Sequence, residues 1–295
     1  MRRAPSADEE KFLAGTAVNP HQRIVLEKGS DDVSARALDL VCPIGMGQRA
    51  LVVASAGLGK TTLLKHICQS VETGYPDMKV LVVLVDERPE EVTDFKRSVK
   101  SEVYASSIDH SHEEHTKMVD AVMVEAYREA AAGHDVMILV DSLTRLARAH
   151  NLQQRGGGRT LSGGVDAGAL EMPRRIFGAA RDVEELGSIT IIATILVDTG
   201  SVMDSVIFEE FKGTGNMELV LSKDLARNRV FPAFDVSKSG TRRAELLYDP
   251  KEFRCLEVLY RGMASIDSLT AMTKLIELIQ KHPSNSDLLQ SFAGV

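Results

Sequence analysis

Residues 49–61 read RALVVASAGLGKT, and the fold follows from that stretch. Arg49–Ala54 is a short, almost continuous apolar run of the kind that forms a strand buried on both faces. Ala54-Ser-Ala-Gly-Leu-Gly-Lys60-Thr61 keeps the spacing of a phosphate-binding loop, with Ala54 at the usual first glycine. Backbone N–H groups around Gly57, Leu58 and Gly59, with the helix N-terminus that follows, would present positive partial charge to phosphates. Lys60 would reach the β- and γ-phosphates, and the Thr61 hydroxyl would bind Mg²⁺. A glycine-rich turn produces such a string by chance, but here it lies between a strand and a helix, as the chemistry requires.

Working outward, Val80–Val85, Val136–Val140 and Ile189–Val197 are further apolar runs, while Thr61–Ser70, Glu90–Val99 and Glu114–Ala132 carry helical spacing. The alternation predicts an α/β fold, a mainly parallel sheet with helices on both faces. Ligands of such sheets bind at the carboxyl ends of the strands. Asp141 ends one run, where a carboxylate can hold the water shell of Mg²⁺. Glu87 ends another, within Asp86-Glu-Arg-Pro-Glu-Glu91, where it can polarise an attacking water. Ser142 follows Asp141, so the base is not the adjacent acid, and its place on the strand after the P-loop helix marks a RecA-like P-loop NTPase core. Glu90 and Glu91 behind Pro89 read instead as the acidic first turn of a helix. ATP is the expected nucleotide.

Residues 1–20 are polar and patternless and read as a mobile tail, residues 21–250 as the ATPase domain. Residues 251–295 read as a small helical extension of the same domain, with helical spacing over Ser268–Gln280 and more weakly over Ser284–Phe292. Arg229 and Arg242 fall in glycine- or proline-marked segments beyond the last core strand. An arginine there can complete a neighbouring subunit's site, but position alone favours a solvated surface residue.

The bulk properties narrow the partners. A net charge of −7 argues against a surface coated for nucleic acid, and 5% aromatics with no tryptophan leave few stacking platforms. Cys42, Cys68 and Cys255 are scattered and odd in number, which favours reduced thiols and a cytoplasmic setting. No apolar run is long enough for a membrane span.

Seven stretches between about Pro20 and Pro250 carry a family resemblance. They are ARALDLVCPIGMGQRALVVA, VLVDERPEEVTDFKR, ILVDSLTRLARAHN, LSGGVDAGAL, FGAARDVEELGSITIIAT, EEFKGTGNMEL and RVFPAFDVSKSGTRRAELL. Together they resemble the ATPase half of the bacterial transcription terminator Rho family. The resemblance implies a homohexameric ring with ATP sites between subunits, coupled to 5′–3′ movement along single-stranded RNA. It places Lys60, Thr61, Glu87 and Asp141 on the family's P-loop, catalytic glutamate and Walker B positions. Arg88 and Arg145 match arginines near the nucleotide, Arg242 the arginine finger, Arg229 a second subunit-crossing arginine, and Phe231 the aromatic on adenine. Asn151–Val165 resembles the pore Q-loop, with Arg159 and Thr160 near its tip. Thr199–Asp204 resembles the R-loop, with Gly200, Ser201 and Val202 set to meet weakly held RNA.

The departures carry expectations of their own. Ser55, Ala56 and Gly57 stand where the family usually has two prolines and a lysine, which a phosphate cradle tolerates. Thr62 replaces a methionine that packs on the base. Val202 replaces a lysine and removes a pore charge. The family's N-terminal RNA-capture half has no counterpart in these residues, so a partner is expected to supply RNA capture or polymerase contact. The alternative is a Rho-derived, ATP-gated assembly module with little RNA coupling. A rotary or secretion-type ATPase gains only from GLGKTT, because residues 1–20 leave no room for that class's N-terminal barrel.

Overall fold

The computed structural model describes residues 4–154, 162–166 and 168–293. Its strands are β1 (Ala17–Val18), β2 (Arg23–Ile24), β3 (Ile44–Gly45), β4 (Arg49–Ala54), β5 (Lys79–Glu87), β6 (Glu102–Ser107), β7 (Val136–Asp141), β8 (Arg181–Val183), β9 (Ser188–Leu196), β10 (Met217–Val220) and β11 (Gly240–Thr241). Among the described residues nine of them form one sheet in the order β11-β10-β4-β9-β7-β5-β6, with β8 and β1 joined beside β9. The strands from β10 to β6 run parallel, so their carboxyl ends share one edge. β2 and β3 pair separately.

Side chains alternate across the sheet because successive Cβ atoms point to opposite faces. Ala50, Val52, Val82, Leu84 and Leu139 enter one core, while Leu51, Val53, Val83, Ile138 and Val140 enter the other. The second core is closed by α1 (Ala7–Ala14), α5 (His112–Ala131), α6 (Leu143–Gln154), α7 (Glu171–Gly178) and α8 (Val202–Lys212). The first is closed by α2 (Val33–Val41) and α3 (Lys60–Gly74), with α4 (Pro89–Ser98) contributing Phe95. α9 (Lys223–Arg227), α10 (Pro250–Ala264), α11 (Ser268–Lys281) and α12 (Asn285–Gln290) add to that same face. The helical extension therefore shares the ATPase core, through Leu256, Leu275 and Leu288.

Two expectations are corrected. The segment read as a mobile tail is folded from Ala7: Ser6 caps α1, Phe12 is fully buried against Tyr127, and β1 pairs with β8. A single aromatic anchor, with Glu9 paired to Arg175, holds it down. The stretch resembling an R-loop is also only half loop. Ser201 caps α8 by accepting from the Asp204 N–H, so Val202 opens a helix.

Candidate active site

β4 runs into a loop that turns left-handed at Gly57 (φ 78°) and Gly59 (φ 83°). A Cβ at either glycine would meet nothing within 4 Å, so the loop opens onto free space. Any L side chain would still be strained at these φ values, which explains glycine there. α3 starts at Lys60 with no side-chain cap on its first turn, leaving N–H groups for an anion. Lys60 is half-buried and forms no ion pair among the described residues; Thr62 is exposed on the same turn. This cradle fits a chain of phosphates.

β7 brings Asp141 beside it. The Thr61 hydroxyl donates to Asp141 Oδ2 at 2.8 Å, and Thr194 on β9 donates to Oδ1 at 2.6 Å. Asp141 is 2% exposed, so these bonds fix its rotamer. A hydroxyl and a carboxylate side by side form a hard-oxygen donor set, and Mg²⁺ suits it.

Glu87 reaches the same edge from β5. The pairing of β5 with β6 shifts register between Val85 and Glu87, and Asp86 between them adopts φ 53°. Such a bulge re-aims the side chain that follows. Arg145 Nη1 sits 3.0 Å from Glu87 Oε2 and also donates to the Asp86 carbonyl, while the Arg88 N–H donates to Oε1 at 3.2 Å. Burial pushes the Glu87 carboxyl above its ordinary range; Arg145 pulls it back and Asp141 pushes it further up. A raised pKa makes the ionised form a better proton acceptor. The Arg88 side chain itself is exposed, 3.9 Å from Glu91.

The remaining sequence candidates divide between two places. Arg229 (φ 59°) and Phe231, 54% exposed, lie beyond the carboxyl end of β10, the P-loop edge. Arg242 lies at the opposite edge, since Glu218 pairs with Gly240 and the Arg242 N–H donates to the Asn216 carbonyl. β4 spans roughly 17 Å at ~3.3 Å per residue, further than an arginine side chain extends. Arg242 cannot reach its own P-loop.

The candidate pore residues stand on the P-loop edge, after β9. Gly200 has φ 76°, and Val202 is 61% exposed beside a cavity of about 460 Å³ lined partly by Asp198, Asp204 and Glu209. Arg159 and Thr160 lie outside the described residues. Local pattern missed Thr194, and also Ser55, whose hydroxyl donates to Asp198 Oδ2 at 2.9 Å while Lys223 sits 3.1 Å from that oxygen. Only Ser55, as a polar residue inside the loop, offered a signal.

Relatives decide the family. The chain is 50% identical to transcription termination factor Rho of Haemophilus influenzae over 291 residues, covering 97% of this chain and 69% of that protein. The chain belongs to the Rho family. Rho of Streptomyces coelicolor is also 50% identical, over 95% of this chain and 67% of its own length. Rho of Rhodopirellula baltica is 49% identical, and there the chain spans 54% of the relative. Residues 34–241 match the nucleotide-binding domain of the ATP synthase alpha/beta family. Among solved structures, a prototypical ATPase of the type III secretion system of pathogenic bacteria superposes with a TM-score of 0.74 at 25% identity. It covers 94% of this chain and 85% of its own. The assembled secretion ATPase EscN of enteropathogenic E. coli gives 0.72 at 24% identity, over 94% of this chain and 72% of its own, and shares the fold. This Rho-like domain is thus an ATP-hydrolysing P-loop enzyme.

Proposed function

We propose that the domain works as a ring, hydrolysing ATP at sites shared by adjacent subunits and coupling turnover weakly to single-stranded RNA in a central channel. The observation that carries this reading is the position of Arg242. A guanidinium that pairs with no carboxylate among the described residues, at the sheet edge away from the P-loop, makes chemical sense when it faces a second copy. A hexamer is the ring that the Rho resemblance suggests, and the assembled state of EscN supports ring formation on this fold.

In this reading Lys60 and the loop N–H groups bind the β- and γ-phosphates, with the base against Phe231 and Thr62. Mg²⁺ held by Thr61 and Asp141 would neutralise charge on the phosphate oxygens. Glu87 orients the attacking water and accepts its proton, and Arg145 and Arg88 lie beside it. Arg242 from the neighbour stabilises charge developing on the γ-phosphate, with Arg229 a second crossing residue. RNA would meet Gly200, Ser201 and Val202, together with Arg159 and Thr160. Val202, uncharged where the family has a lysine, offers no phosphate contact there and makes RNA binding weak.

One comparison tests this reading: ATPase rate with and without poly(C) and poly(U), alongside native mass. A ring with modest stimulation is expected. A ring with active turnover that ignores RNA identifies an assembly module, and a monomer with full turnover removes the shared-site mechanism.

A further inference from the structure

We infer that Asn216 is the positioning residue of the arginine finger, clamping Arg242 to the amino end of β4. The inference rests on the shared-site reading just given.

Asn216 occupies a crossing point. Its side-chain carbonyl accepts from Gln48 Nε2 at 2.6 Å and from the Arg49 N–H at 2.8 Å. Its main-chain carbonyl accepts from the Arg242 N–H at 2.9 Å and from Gln48 Nε2 at 3.2 Å. Its own N–H donates to the Arg49 carbonyl at 3.0 Å. Gln48 is 1% exposed and accepts from the Gly45 N–H, so it cannot swing away from the clamp. The finger's backbone is thereby bolted to the first residue of the strand that ends in the P-loop.

The surrounding charges complete the arrangement. Arg49 donates to the carbonyls of Thr214 and Ala180, and Arg181 to that of Gly178. Burial first, then the positive charges of Arg181 and Arg242, hold Arg49 below its ordinary pKa. Arg242 is exposed, forms no ion pair among the described residues, and is close enough to Arg49 for like charge to be felt between them. The clamp fixes where the finger starts and leaves its exposed guanidinium available to an anion on the next subunit. A loosely held finger would pay the ordering cost in each transition state; a clamped one is preorganised.

The test uses the full chain in its assembled state. Because a misplacement of about 1 Å in a catalytic group can cost ~10²-fold, Asn216→Ala should lower kcat by about that factor with KM for ATP unchanged. The Arg242 amide should exchange its hydrogen faster. In an Arg242→Ala background Asn216→Ala should cost nothing further. An unchanged kcat for Asn216→Ala, or the same loss in both backgrounds, overturns the clamp. Full turnover by Arg242→Ala overturns the finger itself, a separate result. If Asn216→Ala fails to assemble, Gln48→Met removes both Gln48 bonds to Asn216 and must show the same dependence on Arg242.

Discussion

At the carboxyl edge of the sheet Glu87 and Asp141 converge from two parallel strands with Lys60 and Thr61 from the first turn of α3. The amino edge holds Arg49, Arg181 and Arg242 around Asn216. The first edge is rich in hydrogen-bonded carboxylates and hydroxyls, with Asp141 and Glu87 both nearly buried. At the second, the charges of Arg181 and Arg242 are both felt by Arg49, and Arg242 pairs with no described carboxylate. One edge has the cradle for phosphates and the buried carboxylates, with Lys60, Arg145, Arg88 and Arg229 as its cations. The other edge brings positive charge and has no phosphate cradle. In the proposed ring each is half of a phosphoryl-transfer site, and a parallel sheet keeps the halves apart within one chain.

The sharpest way to break that contrast is Arg242→Ala. It should fold and bind ATP yet lose ~10³–10⁵ in turnover, the worth of an arginine finger. Mixing it with Lys60→Ala, which should not bind ATP, should recover activity at interfaces that pair an intact loop with an intact finger. Mixed rings without recovery would overturn the assignment of Arg242 to a neighbour's site. Glu87→Gln attacks the other edge. It should retain ATP in a binding assay and lose ~10²–10⁴ in kcat, the usual range for a general base.

The pH profile separates the edges without removing either. Glu87 is raised above the ordinary carboxylate range. The ionised base should therefore be lost at a higher pH than for an exposed glutamate, and kcat should fall on that acid limb. Arg145→Ala deletes the charge that pulls Glu87 down and should move the limb to higher pH; Arg242→Ala should not move it. An acid limb that stays put in Arg145→Ala would mean another group sets it. The smallest effect concerns RNA. Val202→Lys should steepen the logarithmic salt slope of RNA binding by about 0.7 per added phosphate contact, leaving ATP affinity unchanged. Identical slopes in well-folded rings would take Val202 out of the RNA path.

Much of the carboxyl edge was legible in the sequence because its strands are buried on both faces. Arg49–Ala54 stands out as an apolar run, and the structure gives it the same bounds. β10 was not legible, since Met217–Val220 is four residues long with alternate positions half-buried. β6 is mostly half-buried and hides for the same reason. α1 announces itself only through Ser6, an acidic first turn and Phe12, too little apolar surface to suggest packing. Asn216 was beyond reach because its bond to Arg49 spans 167 residues, and no local pattern encodes such a contact. Arg242 was visible as a residue, but its edge became known only once β11 was seen pairing with β10.

Gly163, at the root of the segment that includes Arg159 and Thr160, has φ 74°. A Cβ there would lie 2.8 Å from the Met203 N and 2.9 Å from the Val202 carbonyl carbon. The Asn151 side chain fastens the same root, donating to the Gly164 carbonyl and accepting from the Asp166 N–H. The described root of the one segment is therefore packed against the first turn of α8, which begins the other, and a side chain larger than glycine at position 163 would have to push the two apart.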